Sequence, residues 1–163
     1  MGEIPDAVVQ TLLSNKVVAY PTSTLPGLAT IPTREGLDAL FSLKQRQPNQ
    51  PVSLGVASLE QASSLVEVPE FAKRLLDDFP QGTLTLILDA HEPLDQRLGG
   101  ERVAVRVFAH PTARALAETV GPVTATSANK AGIPPLSEAE SAGLELNLSH
   151  DSILAGTCPG GQG

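Results

Sequence analysis

The chain has 163 residues, a length that suits one domain with a single core. Hydrophobic residues make up 41%, charged residues 18% and aromatics 3%, with no Trp, which excludes a disordered chain and leaves few rings for stacking single-stranded bases. A net charge of −7 argues against a surface built to track phosphate backbones, although the 11 Lys and Arg leave room for a local basic cleft.

One cysteine, Cys158, excludes an intrachain disulfide and a four-thiolate zinc site. No leader pattern opens the chain, and no apolar run approaches the roughly 18–20 residues that span a bilayer. The expected location is therefore cytoplasmic, with no membrane partner.

In chain order, residues 5–15 place Ala7, Val8, Leu12 and Leu13 at helical spacing and predict an opening helix. Residues 16–20 predict a short strand closed by Pro21. Residues 21–33, rich in Pro, Thr and Gly, read as a loop with structure of its own. Thr33 has the character of an N-cap, and Leu37, Leu40 and Phe41 form one helical face behind it. A strand is expected over 52–57, and Ser58-Leu-Glu-Gln61 has the capping-box pattern of a short helix. Residues 69–79 predict a helix with Pro69 in its first turn. Strands follow over 83–88 and 102–108; in the second, Val103, Val105 and Val107 share one face, and Arg102, Ala104 and Arg106 the other. A helix over 111–120, a strand over 122–126, a helix over 137–146 and a last short strand over 152–155 complete the pattern. The fold class expected is α/β, one domain over 1–163, with a mixed, partly antiparallel sheet flanked by helices. Residues 156–163 are expected to form a mobile tail.

The most informative stretch is Thr126-Ser-Ala-Asn-Lys-Ala-Gly132. It follows an apolar run, so its polar groups stand at the carboxyl end of a strand, where open α/β sheets bind ligands. Ser127 and Asn129 either line such a site or cap the following turn. Lys44 shares the stripe of Leu40 and Phe41 at a helix C-terminus. It either snorkels and complements the helix dipole, or emerges beside a cleft with Arg46, where the two side chains would hold a polyphosphate as a point charge and a planar fork. Arg106 is a surface arginine if its face meets solvent, and a bidentate anion ligand if its face is concave. Thr22, Ser23 and Thr24 are hydroxyls on a Pro-flanked loop, suited to local turn bonds or to a ligand. The chain has no phosphate-loop pattern, no Gly-x-Ser-x-Gly elbow, no His-Glu-x-x-His and no Gly-x-Gly-x-x-Gly. His91, His110 and His150 lack metal-ligand spacing, and Cys158 reads as an incidental thiol. Such a chain would act by positioning substrates and stabilising phosphate charge.

Taken together, five stretches resemble the YrdC-like family, whose best-known activity is threonylcarbamoyl-adenylate synthesis. They are Tyr20-Pro-Thr-Ser-Thr24 with Gly27-Leu28, Lys44-Gln-Arg46 with Pro51, Gly82 with Thr85 before Leu86-Ile-Leu88, Val103-Ala-Val-Arg106 with His110-Pro111, and Ser127-Ala-Asn129 with Gly132. The resemblance implies a twisted α/β domain with a concave, positively lined cavity. The implied reaction joins L-threonine, bicarbonate and ATP, with Mg2+ accompanying the nucleotide, into threonylcarbamoyl-AMP and pyrophosphate. That product then serves tRNA-modification proteins acting downstream on adenosine 37. By position, Lys44, Arg46, Ser127 and Asn129 would form the ATP site, and Thr22, Thr24 and Arg106 would border the threonine and carbamoyl region. No residue would act as a nucleophile. The sequence departs from the family pattern at Pro26, usually aromatic, and at Gln47, Gln50 and Gln81-Gly-Thr83; it also stops at Gly163, where the family pattern continues into a Ser-Thr-containing strand. Two other functions are compatible with the same fold: a non-catalytic module binding tRNA or double-stranded RNA in the basic cavity, and a paralogue with different acyl-adenylate chemistry.

Overall fold

The computed structural model describes residues 4–78, 84–129, 136, 138–156 and 158. Helix α1 (Asp6–Leu13) leads into β1 (Val18–Tyr20). The stretch read as a loop over 21–33 contains a strand, β2 (Gly27–Ala29), which corrects that expectation. Three residues between prolines carry little β signal of their own. Pairing to β1 on one side and to a distant strand on the other supplies the hydrogen bonds that local sequence does not.

Thr33 caps α2 (Arg34–Lys44), its hydroxyl accepting from Gly36 N at 3.0 Å, and Leu37, Leu40 and Phe41 are buried as the spacing requires. Next come β3 (Ser53–Val56) and α3 (Leu59–Ala62). Ser58 Oγ accepts from Gln61 N at 3.1 Å, the first half of a capping box. The return bond is displaced by one residue: Gln61 Oε1 accepts from Ala57 N, while its amide donates to Ala117 O and ties α3 to a later helix.

Helix α4 (Glu70–Asp78), β4 (Thr85–Asp89), β5 (Arg102–Val107), α5 (Pro111–Val120), β6 (Val123–Ser127) and α6 (Ala139–Glu145) complete the elements among the described residues. The strand expected over 152–155 does not form. His150–Ser152 is a 3-10 turn, and Ile153 makes only an isolated parallel bridge to Ala19, with Leu154 N donating to Ala19 O. Leu154 instead joins an apolar cluster with Val18 and Tyr20 of β1. Gln81, Gly82, Thr83, Gly132 and most of the 156–163 tail lie outside the described residues. Gly156 and Cys158 are described, and both sit against the Pro21–Thr22 turn.

The sheet order is β1-β2-β6-β3-β5-β4. Among the strand pairs of the described residues only β3–β5 is parallel, so the sheet is mixed. Val18 and Tyr20 enter one apolar cluster with α1 and α5, whereas Ala19 enters another with α2, α3 and α4. Alternation along a strand therefore puts the two clusters on opposite faces. Val103, Val105 and Val107 turn to the α2 face. Arg106 consequently points to the face of α1 and α5, which pack on β1 and β3. At the far edge that face is bare: Thr85, Ile87 and Asp89 of β4 are exposed. A concavity is left between the helices and that edge.

Candidate functional site

That concavity is a cavity of ≈ 240 Å³ walled by the loop 22–26 on one side, by Arg106 and Phe108 on another, and by 125–127 at the end of β6. Its floor is aromatic. Tyr20 and Phe108 meet edge to face, ring centroids 5.7 Å apart at 75°, and the Tyr20 hydroxyl donates to Thr124 O at 3.2 Å. Two glycines admit the rings. A Cβ on Gly27 would stand 2.7 Å from Tyr20 Cζ, and one on Gly55 would collide with the Phe108 ring. Burial holds the Tyr20 phenol far above its ordinary pKa, partly opposed by Arg106, so this ring is a neutral wall.

Arg106 stands over that floor. Gly55 and Thr85 flank it in the sheet, and neither carries a carboxylate that could pair with it. Its Nε is buried and has no hydrogen-bond partner among the described residues. A buried guanidinium N–H without an acceptor is costly and is normally satisfied. Facing a cavity, it is a donor that an anionic ligand could satisfy.

The loop 22–26 combines both functions open to its hydroxyls. Thr22 Oγ1 donates to Leu25 O at 2.5 Å and accepts from Thr24 N at 3.1 Å, so the turn is held by its own side chains. Thr22, Ser23 and Thr24 still line the cavity. Thr22 N donates to Cys158 Sγ at 3.4 Å, which anchors the loop from behind; burial raises the pKa of that thiol.

Lys44 is 2% exposed. It neither snorkels nor stands free in the cleft: its ammonium donates to Ser127 O at 2.6 Å and approaches Ser127 Oγ at 3.5 Å. Burial, reinforced by Arg46, pushes its pKa down to about 8. A Schellman motif fixes the turn after it. Arg46 N donates to Phe41 O and Gln45 N to Ser42 O, with Gln45 at φ 55. Arg46 Nε then donates to Gln50 O at 2.6 Å and a terminal nitrogen donates to Pro51 O at 2.8 Å. Partial burial lowers its pKa.

The structure thus brings Thr22, Thr24, Arg106 and Ser127 to one cavity, with Lys44 joined to it through Ser127. Arg46 and Asn129 are not among the cavity walls; Asn129 N donates to Ser127 O in the turn after β6. Sequence reasoning did not single out Phe108, Leu25 or Pro26 as lining residues. Phe108 was accessible to it, because alternation past Val107 returns to the face of Arg106. Ala128 N donates to Pro26 O, extending the β2–β6 ladder into the loop.

The family model described as "Telomere recombination", covering Sua5, YciO and YrdC, matches residues 10–163. The chain belongs to the Sua5/YciO/YrdC family. It is 36% identical over 156 residues to the threonylcarbamoyl-AMP synthase of Bacillus subtilis, an alignment covering 92% of this chain and 44% of that protein. It is 35% identical over 163 residues to the threonylcarbamoyl-AMP synthase of Stenotrophomonas maltophilia, covering 95% of this chain and 87% of that one. The crystal structure of Pyrococcus abyssi Sua5 complexed with L-threonine superposes with a TM-score of 0.81 at 29% identity, covering 96% of this chain and 49% of that one. The chain therefore spans less than half of the Bacillus and Pyrococcus proteins and most of the Stenotrophomonas one.

Proposed function

We propose that this chain forms threonylcarbamoyl-AMP from L-threonine, bicarbonate and ATP. The observation that carries the reading is Arg106, whose buried Nε has no partner among the described residues and which lines a small cavity rimmed by Thr22 and Thr24. A cavity of ≈ 240 Å³ suits a small amino acid far better than a whole nucleotide. Relatives at 35–36% identity are threonylcarbamoyl-AMP synthases.

In this reading Thr22, Thr24 and Arg106 border the amino acid and its carbamoyl group. Lys44, Arg46, Ser127 and Asn129 hold the nucleotide outside the cavity mouth. The threonine amine captures the bicarbonate carbon with loss of water, and the resulting carbamate oxygen attacks the α-phosphorus with pyrophosphate leaving. No side chain need act as nucleophile; the residues orient the reactants and offset the growing negative charge. The walls carry hydroxyls and the Arg106 guanidinium and no carboxylate, so Mg2+ would arrive on the triphosphate. Among the described residues no helix is long and apolar enough to cross a membrane, and a cytoplasmic place is consistent with a product passed to tRNA-modifying proteins that act on adenosine 37.

The test is pyrophosphate release from ATP and bicarbonate, with L-threonine or with serine. Threonine-dependent release is expected, and release that ignores the amino acid overturns the reading.

A further inference from the structure

A ring of contacts encloses the basic turn after α2. Arg97, in the 3-10 turn Gln96–Leu98, is not one of the cavity walls. Its side chain, 15% exposed, donates from Nε and a terminal nitrogen to the two oxygens of Asp95, at 3.0 and 2.9 Å. Its other terminal nitrogen pairs with Asp38 on α2 at 2.5 Å, while the nitrogen bonded to Asp95 also donates to Arg34 O at 3.3 Å. The guanidinium lies over the Phe41 ring, 5.8 Å from its centroid. Asp95 is held in place in turn by accepting from Arg97 N at 2.9 Å.

Two bonds carry this arrangement to the turn. Phe41, beneath the guanidinium, gives its carbonyl to Arg46 N. Arg97 O accepts from Val52 N at 2.9 Å, and Val52 follows Pro51, whose carbonyl accepts from the Arg46 side chain. The circuit runs from Asp38 and Phe41 on α2, through Arg46 and residues 51–52, to Arg97 and back to Asp38. The loop 45–52 is thereby closed at both ends by one arginine. Such closure matters here because the turn holds a non-glycine residue, Gln45, at φ 55, and keeps a buried ammonium and a guanidinium close together. Both features cost free energy and persist only where surrounding contacts dictate them.

We infer that Arg97 is a positioning residue: without touching substrate, it sets the Lys44–Arg46 turn in the geometry that receives the phosphates of the nucleotide. The inference rests on the nucleotide role proposed above for Lys44 and Arg46. A stabilising arginine alone would alter how much protein is folded and leave the affinity of folded molecules unchanged. A positioning arginine selectively weakens nucleotide binding.

The experiment is calorimetric titration of the full chain with ATP and, separately, with L-threonine, for the unaltered protein, Arg97→Ala, Arg97→Lys and Asp38→Asn, each checked for a cooperative melt. The expected result is an ATP Kd raised about tenfold in Arg97→Ala, with smaller increases in the two conservative variants and threonine affinity unchanged. Equal ATP affinity in the Arg97→Lys and Asp38→Asn proteins and the unaltered protein overturns the inference, as does a parallel loss for both ligands. If Arg97→Ala does not fold, the two conservative variants decide. Failure of the unaltered chain to bind ATP removes the nucleotide reading itself, and the inference with it.

Discussion

The Lys44 ammonium stands 2.6 Å from the backbone carbonyl of Ser127, 83 residues away, joining the last turn of α2 to the last residue of β6. Both are carboxyl-terminal ends, where carbonyl groups lack partners within their own element. One buried cation therefore satisfies a strand-end acceptor and complements a helix dipole while standing behind the mouth of the cavity.

The titration of Lys44 gives the first prediction. Folding lowers its pKa from 10.5 to about 8. Below pH 8 both folded and unfolded chains carry the proton, and the cost of burying the charge is fully present. Between 8 and 10.5 the unfolded chain binds more proton, so the contribution of Lys44 to stability rises with pH, by of order 1–3 kcal/mol, and then levels off. Urea unfolding at several pH values should show this rise, and Lys44→Met should flatten it. Nucleotide affinity should move the other way, falling above pH 8 as the charge is lost.

Arg106 separates charge from geometry. Arg106→Lys keeps a cation but loses the fork, and should raise the KM for threonine about tenfold; Arg106→Ala should raise it about a hundredfold or more. Neither should lower Tm appreciably, because the substitution removes a buried donor that has no partner among the described residues, a group that costs about 1 kcal/mol. Steady-state kinetics and a thermal melt together check both halves. A Tm drop comparable to the loss of a core residue would assign Arg106 to the fold instead.

Gly27 should not tolerate a methyl group. The Cβ of Gly27→Ala would stand 2.7 Å from the Tyr20 ring, which is packed against Phe108 and cannot retreat without repacking. A loss of about 1–3 kcal/mol is expected, with weakened threonine binding as the ring shifts into the cavity. Denaturant unfolding and threonine titration measure the two effects.

Gln45 offers a gain. At φ 55 it occupies the C′ position of a Schellman motif, where glycine is preferred. Gln45→Gly should stabilise the protein by about 0.5–1 kcal/mol, since relief of the left-handed strain exceeds the added entropy of the unfolded chain. An unchanged or lower denaturation midpoint would show that the Gln45 side chain makes a compensating contact.

Much of this arrangement is dictated locally. Helical spacing of Leu37, Leu40, Phe41 and Lys44 put a cation on a core stripe, and period-2 alternation put Arg106 opposite the valines of β5, because both patterns follow from backbone geometry alone. Capping by Thr33 and Ser58 likewise depends only on a hydroxyl three residues from an amide. Long-range pairing decided the rest. Whether residues 27–29 form a strand depended on β1 and β6, and 152–155 make only an isolated bridge to Ala19 at the sheet edge. The face of Arg106 became a cavity because α1 and α5 cover only part of the sheet, and no local pattern encodes where a helix stops covering a distant strand. Lys44 found Ser127, and Arg97 found Asp38, across chain separations that composition and periodicity do not reach.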